Sequence, residues 1–151
     1  MLRHAMERCG SRRRLSQHVG MQIYKKLSVW RKAHELALRV HSATHPLYVR
    51  NCAALAGQMR RAAMSIPANI AEGSGRSTSG QFAHFLQHAI GSARELDYHL
   101  LLARDLALLS PGDHATLEAR VDEVSKMLVS LRKTVNARAT RTPASKRLVQ
   151  K

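Results

Sequence analysis

Apolar side chains at Phe82, Leu86, Ala89, Ala93, Leu96, Leu100, Ala103 and Ala107 recur at alternating steps of four and three. A strand, with its period of two, would scatter these positions over both faces, whereas an α-helix gathers them into one seam. The stretch therefore predicts a helix that must bury one side against other helices in heptad fashion. Ser77, Thr78 or Ser79 can supply its N-cap oxygen, and the pattern runs to about Leu109. At ~1.5 Å per residue such a helix is about 45 Å long.

Three further segments share this period. In "LSVWRKAHELALRVHSATHPL" the spacing picks out Trp30, Ala33, Ala37, Val40 and Thr44 with Leu36 beside them, and Pro46 is expected to end the helix. In "CAALAGQMRRAAMSIPANIAEG" the stripe is Leu55, Met59, Ala62 and Ile66, and Gly73 stands where a left-handed C-terminal residue is expected. After "SPGD" the pattern resumes with Leu117, Val121, Val124, Leu128, Leu131 and Val135. Short loops between four such helices predict an all-α, antiparallel up-down four-helix bundle. An aromatic content of only 4% agrees, since strands draw on aromatic and β-branched residues. The expected organisation is a basic tail over residues 1–20, the bundle over 21–139 and a second basic tail over 140–151.

The net charge of +15 is distributed unevenly. Residues 1–20 carry five arginines and one glutamate, residues 140–151 carry four cations and no acid, and the bundle itself holds +7. Basic tails on a basic folded face suit nucleic acid, because phosphate charge is the partner such surfaces attract. The arginine-rich, acid-poor opening also has the look of a mitochondrial transit peptide. Helical patterning begins only after Met21, however, so a start placed too early is the preferred explanation. Cys9 and Cys52 are too few for a disulfide framework or a zinc site and are read as plain thiols. No apolar run approaches the ~20 residues of a membrane span, so a cytoplasmic protein without a membrane partner is expected.

"SIPANIAEGSGR" places Pro67 inside an apolar run. Its ring opposes the carbonyl of Ala63, so the helix is expected to bend or restart there. Asn69 falls on the inward side, where its amide needs a neighbouring backbone group or Glu72 as partner. Glu72 and Arg76, four apart, can pair across the glycine corner. A phosphate loop would need Lys followed by Ser or Thr after its second glycine, and this stretch has only Arg76. Pro67, Asn69, Glu72, Gly73 and Arg76 are therefore read as a structural corner rather than a catalytic one.

"LSVWRKAHELA", "QMRRAAMSIPANIAEGSGR" and "FLQHAIGSARELDYHLLLARDLALL" together resemble the four-helix bundle protein family encoded in intervening sequences of bacterial large-subunit ribosomal RNA genes. That family is related to the accessory variability proteins of diversity-generating retroelements. The likeness spans Tyr24 to Arg138 and is carried by Arg60, Arg61, Ser65, Asn69, Ile70, Glu72, Gly73, Gly75 and Arg76, then by Gly91, Ser92 and Glu95. It implies a protomer that assembles into a ring-like homopentamer and has no enzymatic activity. In the retroelement branch it implies a basic barrel that binds a reverse transcriptase and its nucleic acid. The two basic tails depart from the family pattern.

The remaining candidates are surface constellations. Arg31, Lys32, Arg39, Arg60, Arg61, Lys126, Arg132, Lys133 and Arg138 are the expected phosphate contacts for RNA or DNA. Base stacking is not expected, because Trp30 falls on the core stripe and Tyr24 and Tyr48 stand isolated. Gly91, mid-helix at a cost of about 1 kcal/mol against alanine, is expected to mark close approach of another helix. His84, His88, Glu95 and His99 share one side of the third helix, but a metal normally takes three or four ligands, so a solvated or subunit-contact face is the ordinary reading. No cofactor and no catalytic residue is assigned. The leading function is an oligomeric nucleic-acid-binding bundle, and the alternative is a protein-interaction adaptor without nucleic acid.

Overall fold

The computed structural model describes residues 24–49 and 51–141, and both predicted tails lie almost wholly outside them. Among the described residues a single 3-10 turn, Tyr24–Lys26, leads into five α-helices and there is no strand. They are α1 (Ser28–Ala43), the short α2 (His45–Val49), α3 (Ala53–Ser74), α4 (Ser79–Asp105) and α5 (Pro111–Arg141). The four long helices close a ring in which α1 packs on α3 and α5, α3 on α4, and α4 on α5.

Cross-contacts give the directions within two of these pairs. Gly73 near the end of α3 meets Phe82 and Phe85 near the start of α4, while Ser65 further back in α3 bonds Ser92 further along α4. Likewise Lys32 pairs with Glu123, and Glu35 three residues on pairs with Arg120 three residues back. Both pairs therefore run in opposite directions.

The core follows the heptads of the later helices closely. Leu86, Ala89, Ala93, Leu96, Leu100 and Ala103 of α4 are buried, as are Leu117, Val121, Val124, Leu128 and Val135 of α5. In α1 the buried stripe is Val29, Ala33, Leu36 and Val40, so Ala33, Leu36, Val40 and the capping Thr44 are buried as expected and Val29 takes the place of Trp30. Trp30 and Ala37 are only half-buried against it. Branched Val29 and Leu36 fill the centre, and the large indole is left at the edge.

Helix ends account for the other departures. Pro46 does not end α1, which stops at Ala43. It sits in the first turn of α2 instead, where a missing N–H costs nothing. Thr44 caps α1 from a fully buried position, its hydroxyl donating to the Val40 carbonyl at 2.7 Å. Pro67 lies inside α3, which continues to Ser74 without a restart. Gly73 is helical, and no glycine among the described residues has a positive φ, so its role is space rather than backbone freedom. Thr78 is the N-cap of α4, its hydroxyl accepting from the Gln81 N–H at 3.2 Å.

The α4 helix stops at Asp105 and not near Leu109. Ala107 takes a φ of 52° and is exposed, despite its place in the predicted seam. Leu108 N–H reaches back to the Ala103 carbonyl at 2.8 Å and Ala107 N–H to Arg104 at 2.9 Å, the paired closure of a Schellman end. Ser110 then opens α5. Its hydroxyl accepts from the Asp113 N–H at 3.1 Å and lies 2.7 Å from the Asp113 carboxylate, with Pro111 in the first helical position.

At one end of the bundle Leu27, Ser28 and Val29 at the head of α1 share a groove with Ser130, Leu131 and Thr134 of α5.

Candidate nucleic-acid interface

The nine expected phosphate contacts do not form one surface. Arg31, Arg61 and Lys133 are exposed on α1, α3 and α5 respectively, and Arg138 is exposed on the last turns of α5. Lys32 is held by Glu123 at 2.6 Å and Lys126 by Asp122 at 2.6 Å, so both cations carry a carboxylate partner. Arg39 lines a cavity between α1 and α5 that also contains Glu35 and Asp113, a mixed rather than basic lining.

Arg60 is committed to the fold. Its Nε–H donates to the Thr44 hydroxyl at 2.8 Å and its terminal nitrogen to the His41 carbonyl at 2.9 Å. The guanidinium also lies 4.6 Å from the centre of the Tyr48 ring. One side chain thus closes the carbonyl end of α1 and fixes α2 beside it. Tyr48 is accordingly not isolated. Neither is Tyr24, whose ring meets Trp30 edge-on at 4.9 Å, while Trp30 stacks on His34 at 5.2 Å with planes 6° apart. Arg132 is half-buried, and its Nε has no hydrogen-bond partner.

What the structure does bring together is a groove of about 380 Å³ between α4 and α5. Arg94 and Lys133 supply charge, as does Lys126, whose charge Asp122 already meets, while Ser125 and Ser130 supply hydroxyls and Ile90 and Val129 form the apolar part. No carboxylate lines it. Lys126 and Lys133 are seven residues apart, about two helical turns, so both stand on the same side of α5. Arg94 was missed in the sequence because only helix packing places it opposite those lysines. Its spacing from the α4 seam, one residue after Ala93, was the available signal.

The corner residues satisfy one another. Asn69 donates to the Ser65 carbonyl at 2.8 Å and to its hydroxyl at 3.0 Å, and Ser92 reaches the same hydroxyl from α4 at 2.9 Å. Glu72 and Arg76 form the expected ion pair, and the Arg76 guanidinium lies over the Phe85 ring at 4.7 Å. A Cβ on Gly73 would stand 2.6 Å from the Phe85 Cβ.

At Gly91 a Cβ would meet nothing within 4 Å, so among the described residues no other helix of the same protomer makes the expected close approach, which leaves the role to assembly. The histidine set separates into two pairs. His84 and His88 are exposed with their Nε2 atoms 3.1 Å apart, whereas His99 is largely buried and lies 3.6 Å from Glu95.

With this geometry established, the family model described as 23S rRNA-intervening sequence protein matches residues 25–130. The chain belongs to that family. A solved structure of a protein of unknown function from the S23 ribosomal protein family of Bacteroides thetaiotaomicron is similar in fold, with a TM-score of 0.66 and 24% identity. The alignment covers 70% of this chain and 95% of that one. No curated protein matches this chain. The match to the 23S rRNA-intervening sequence family contains Arg94, Lys126 and the whole α3–α4 corner, and Lys133 and Arg138 fall just beyond it. Among the described residues no helix is long and apolar enough to cross a membrane.

Proposed function

We propose that this chain is a non-catalytic, oligomeric four-helix bundle that binds nucleic acid, structured RNA or an RNA–protein complex, through its basic surfaces. The groove that joins Arg94 and Lys133, with Lys126 already paired to Asp122 at its side, carries this reading. Cations with nearby hydroxyls suit phosphate oxygens, and the groove offers no planar platform for a base, so recognition is of backbone rather than sequence. The family's association with 23S rRNA intervening sequences supports RNA as the polymer. A closed ring of five is the assembly the family resemblance implies.

The test is fluorescence anisotropy with two unrelated RNAs of equal length over a salt series. Affinities should be alike, and log affinity should fall linearly with log salt. Arg94→Ala with Lys133→Ala should reduce the slope by about 1.4 on single strands, at ~0.7 per phosphate contact. Removing residues 1–20 and 140–151, which hold +8, should flatten it further. No binding at low salt would sink the reading. The alternative is a protein-interaction adaptor, favoured by Tyr98 and Leu101, which α4 exposes at 59% and 42%.

A further inference from the structure

The His84 and His88 side chains have no part in the basic groove, and their arrangement is specific. They stand one turn apart on α4, both exposed, with Nε2 atoms 3.1 Å apart. Zinc–nitrogen bonds of 2.0–2.1 Å at a tetrahedral angle put two ligating nitrogens about 3.3 Å apart. The observed separation is within a few tenths of that value. The rings meet edge-on, with centres 4.6 Å and planes 81° apart, and their two nitrogens are in hydrogen-bond contact, so a metal ion would take the place of the proton between them.

Phe85 is the aromatic neighbour of both rings. Phe85 lies between the two histidines in sequence, with ring centres 6.1 Å from His84 and 6.4 Å from His88. Phe85 is itself seated against Gly73 and covered by Arg76. The Arg76 charge is met by Glu72, which reduces its repulsion of a nearby cation. An open cavity lined by Arg76, Gly80, Gln81, His84 and Phe85 adjoins His84 alone; room for water about the pair comes from the exposure of both rings.

We infer that His84 and His88 chelate a divalent transition metal of the zinc or nickel class, each giving Nε2, with solvent completing the shell. Imidazole nitrogen suits these ions. Two protein ligands are fewer than the three or four a zinc ion normally takes, so the pair would hold a solvent-rich, exchangeable ion rather than a structural one.

Calorimetric titration of the metal-free full chain with Zn²⁺, and separately with Ni²⁺, tests the site. His84→Gln and His88→Gln should each weaken the strongest binding event by roughly tenfold or more, and the double variant should lose one equivalent per chain. His45→Gln, on exposed α2, serves as the control and should bind as the parent does. Circular dichroism of each variant should be unchanged, since both side chains are exposed. A double variant that binds with the parent's affinity and stoichiometry, or a parent that takes up neither metal, overturns the assignment.

Discussion

Gly73 and Gly91 are both helical glycines, and the structure gives their replacement by alanine opposite signs. At either site alanine gains about 1 kcal/mol of helix propensity, because glycine loses more backbone freedom on folding. At Gly91 nothing opposes that gain, since a Cβ would meet no atom within 4 Å. At Gly73 the added carbon would stand 2.6 Å from the Phe85 Cβ and 2.8 Å from the Phe82 ring. The first of these neighbours is fixed to the α4 backbone, so it cannot turn aside. Separation of α3 from α4 is the only relief. Overpacking of this kind costs about 1–3 kcal/mol, so Gly73→Ala should be destabilising by up to about 2 kcal/mol after the propensity gain. Gly91→Ala should be stabilising by about 1 kcal/mol. For a bundle of this size the corresponding midpoint shifts are a fall of up to about 8 °C and a rise of about 4 °C. Thermal unfolding followed by circular dichroism, at several protein concentrations, measures both. A Gly73→Ala protein more stable than the parent would refute the steric argument. A Gly91→Ala protein that is less stable, and more so at high concentration, would show instead that a second copy approaches α4 there.

Arg60→Ala should cost about 1–3 kcal/mol in chemical denaturation through the lost bonds to Thr44 and His41, whereas Arg61→Ala should stay within about 0.5 kcal/mol. Equal stabilities would mean that Arg60 does not close the end of α1. Asn69→Leu removes two donated bonds to Ser65 and should cost about 1 kcal/mol, while RNA affinity per folded molecule is unchanged in anisotropy. Abolished binding with unaltered stability would move Asn69 from the corner into the interface. Thr78→Ala should lose about 1 kcal/mol, and amide exchange should accelerate first at Gln81, whose N–H the threonine caps.

The long helices were legible because heptad spacing is a local property. Leu86 to Ala103 and Leu117 to Val135 occupy the core as their periodicity requires. The stop of α4 was not legible. Its left-handed residue is Ala107, with no glycine to announce it, and the closure depends on backbone bonds to Ala103 and Arg104. In α1 both Val29 and Trp30 satisfy the same spacing, and only packing against α3 and α5 selects Val29 over Trp30 for the centre. The Glu72–Arg76 pair and the backbone bond of Asn69 were readable because each partner lies four residues away. Arg60 reads as a surface cation for the opposite reason: its partners lie 16 and 19 residues back and meet it only when α3 folds onto α1. Arg94 joined the basic groove by the same kind of long-range placement.

The groove shared by Leu27, Ser28, Ser130 and Thr134 puts the entry to α1 beside the later turns of α5. Among the described residues, the chain therefore enters α1 at the same pole of the bundle toward which α5 runs. Under the proposed function, the +4 segments that continue the chain beyond these two ends would act as a bivalent clasp: once one engaged a polyanion, the other would meet it at an effective concentration set by the span between them. Loss of either segment should then weaken binding by more than its share of the charge.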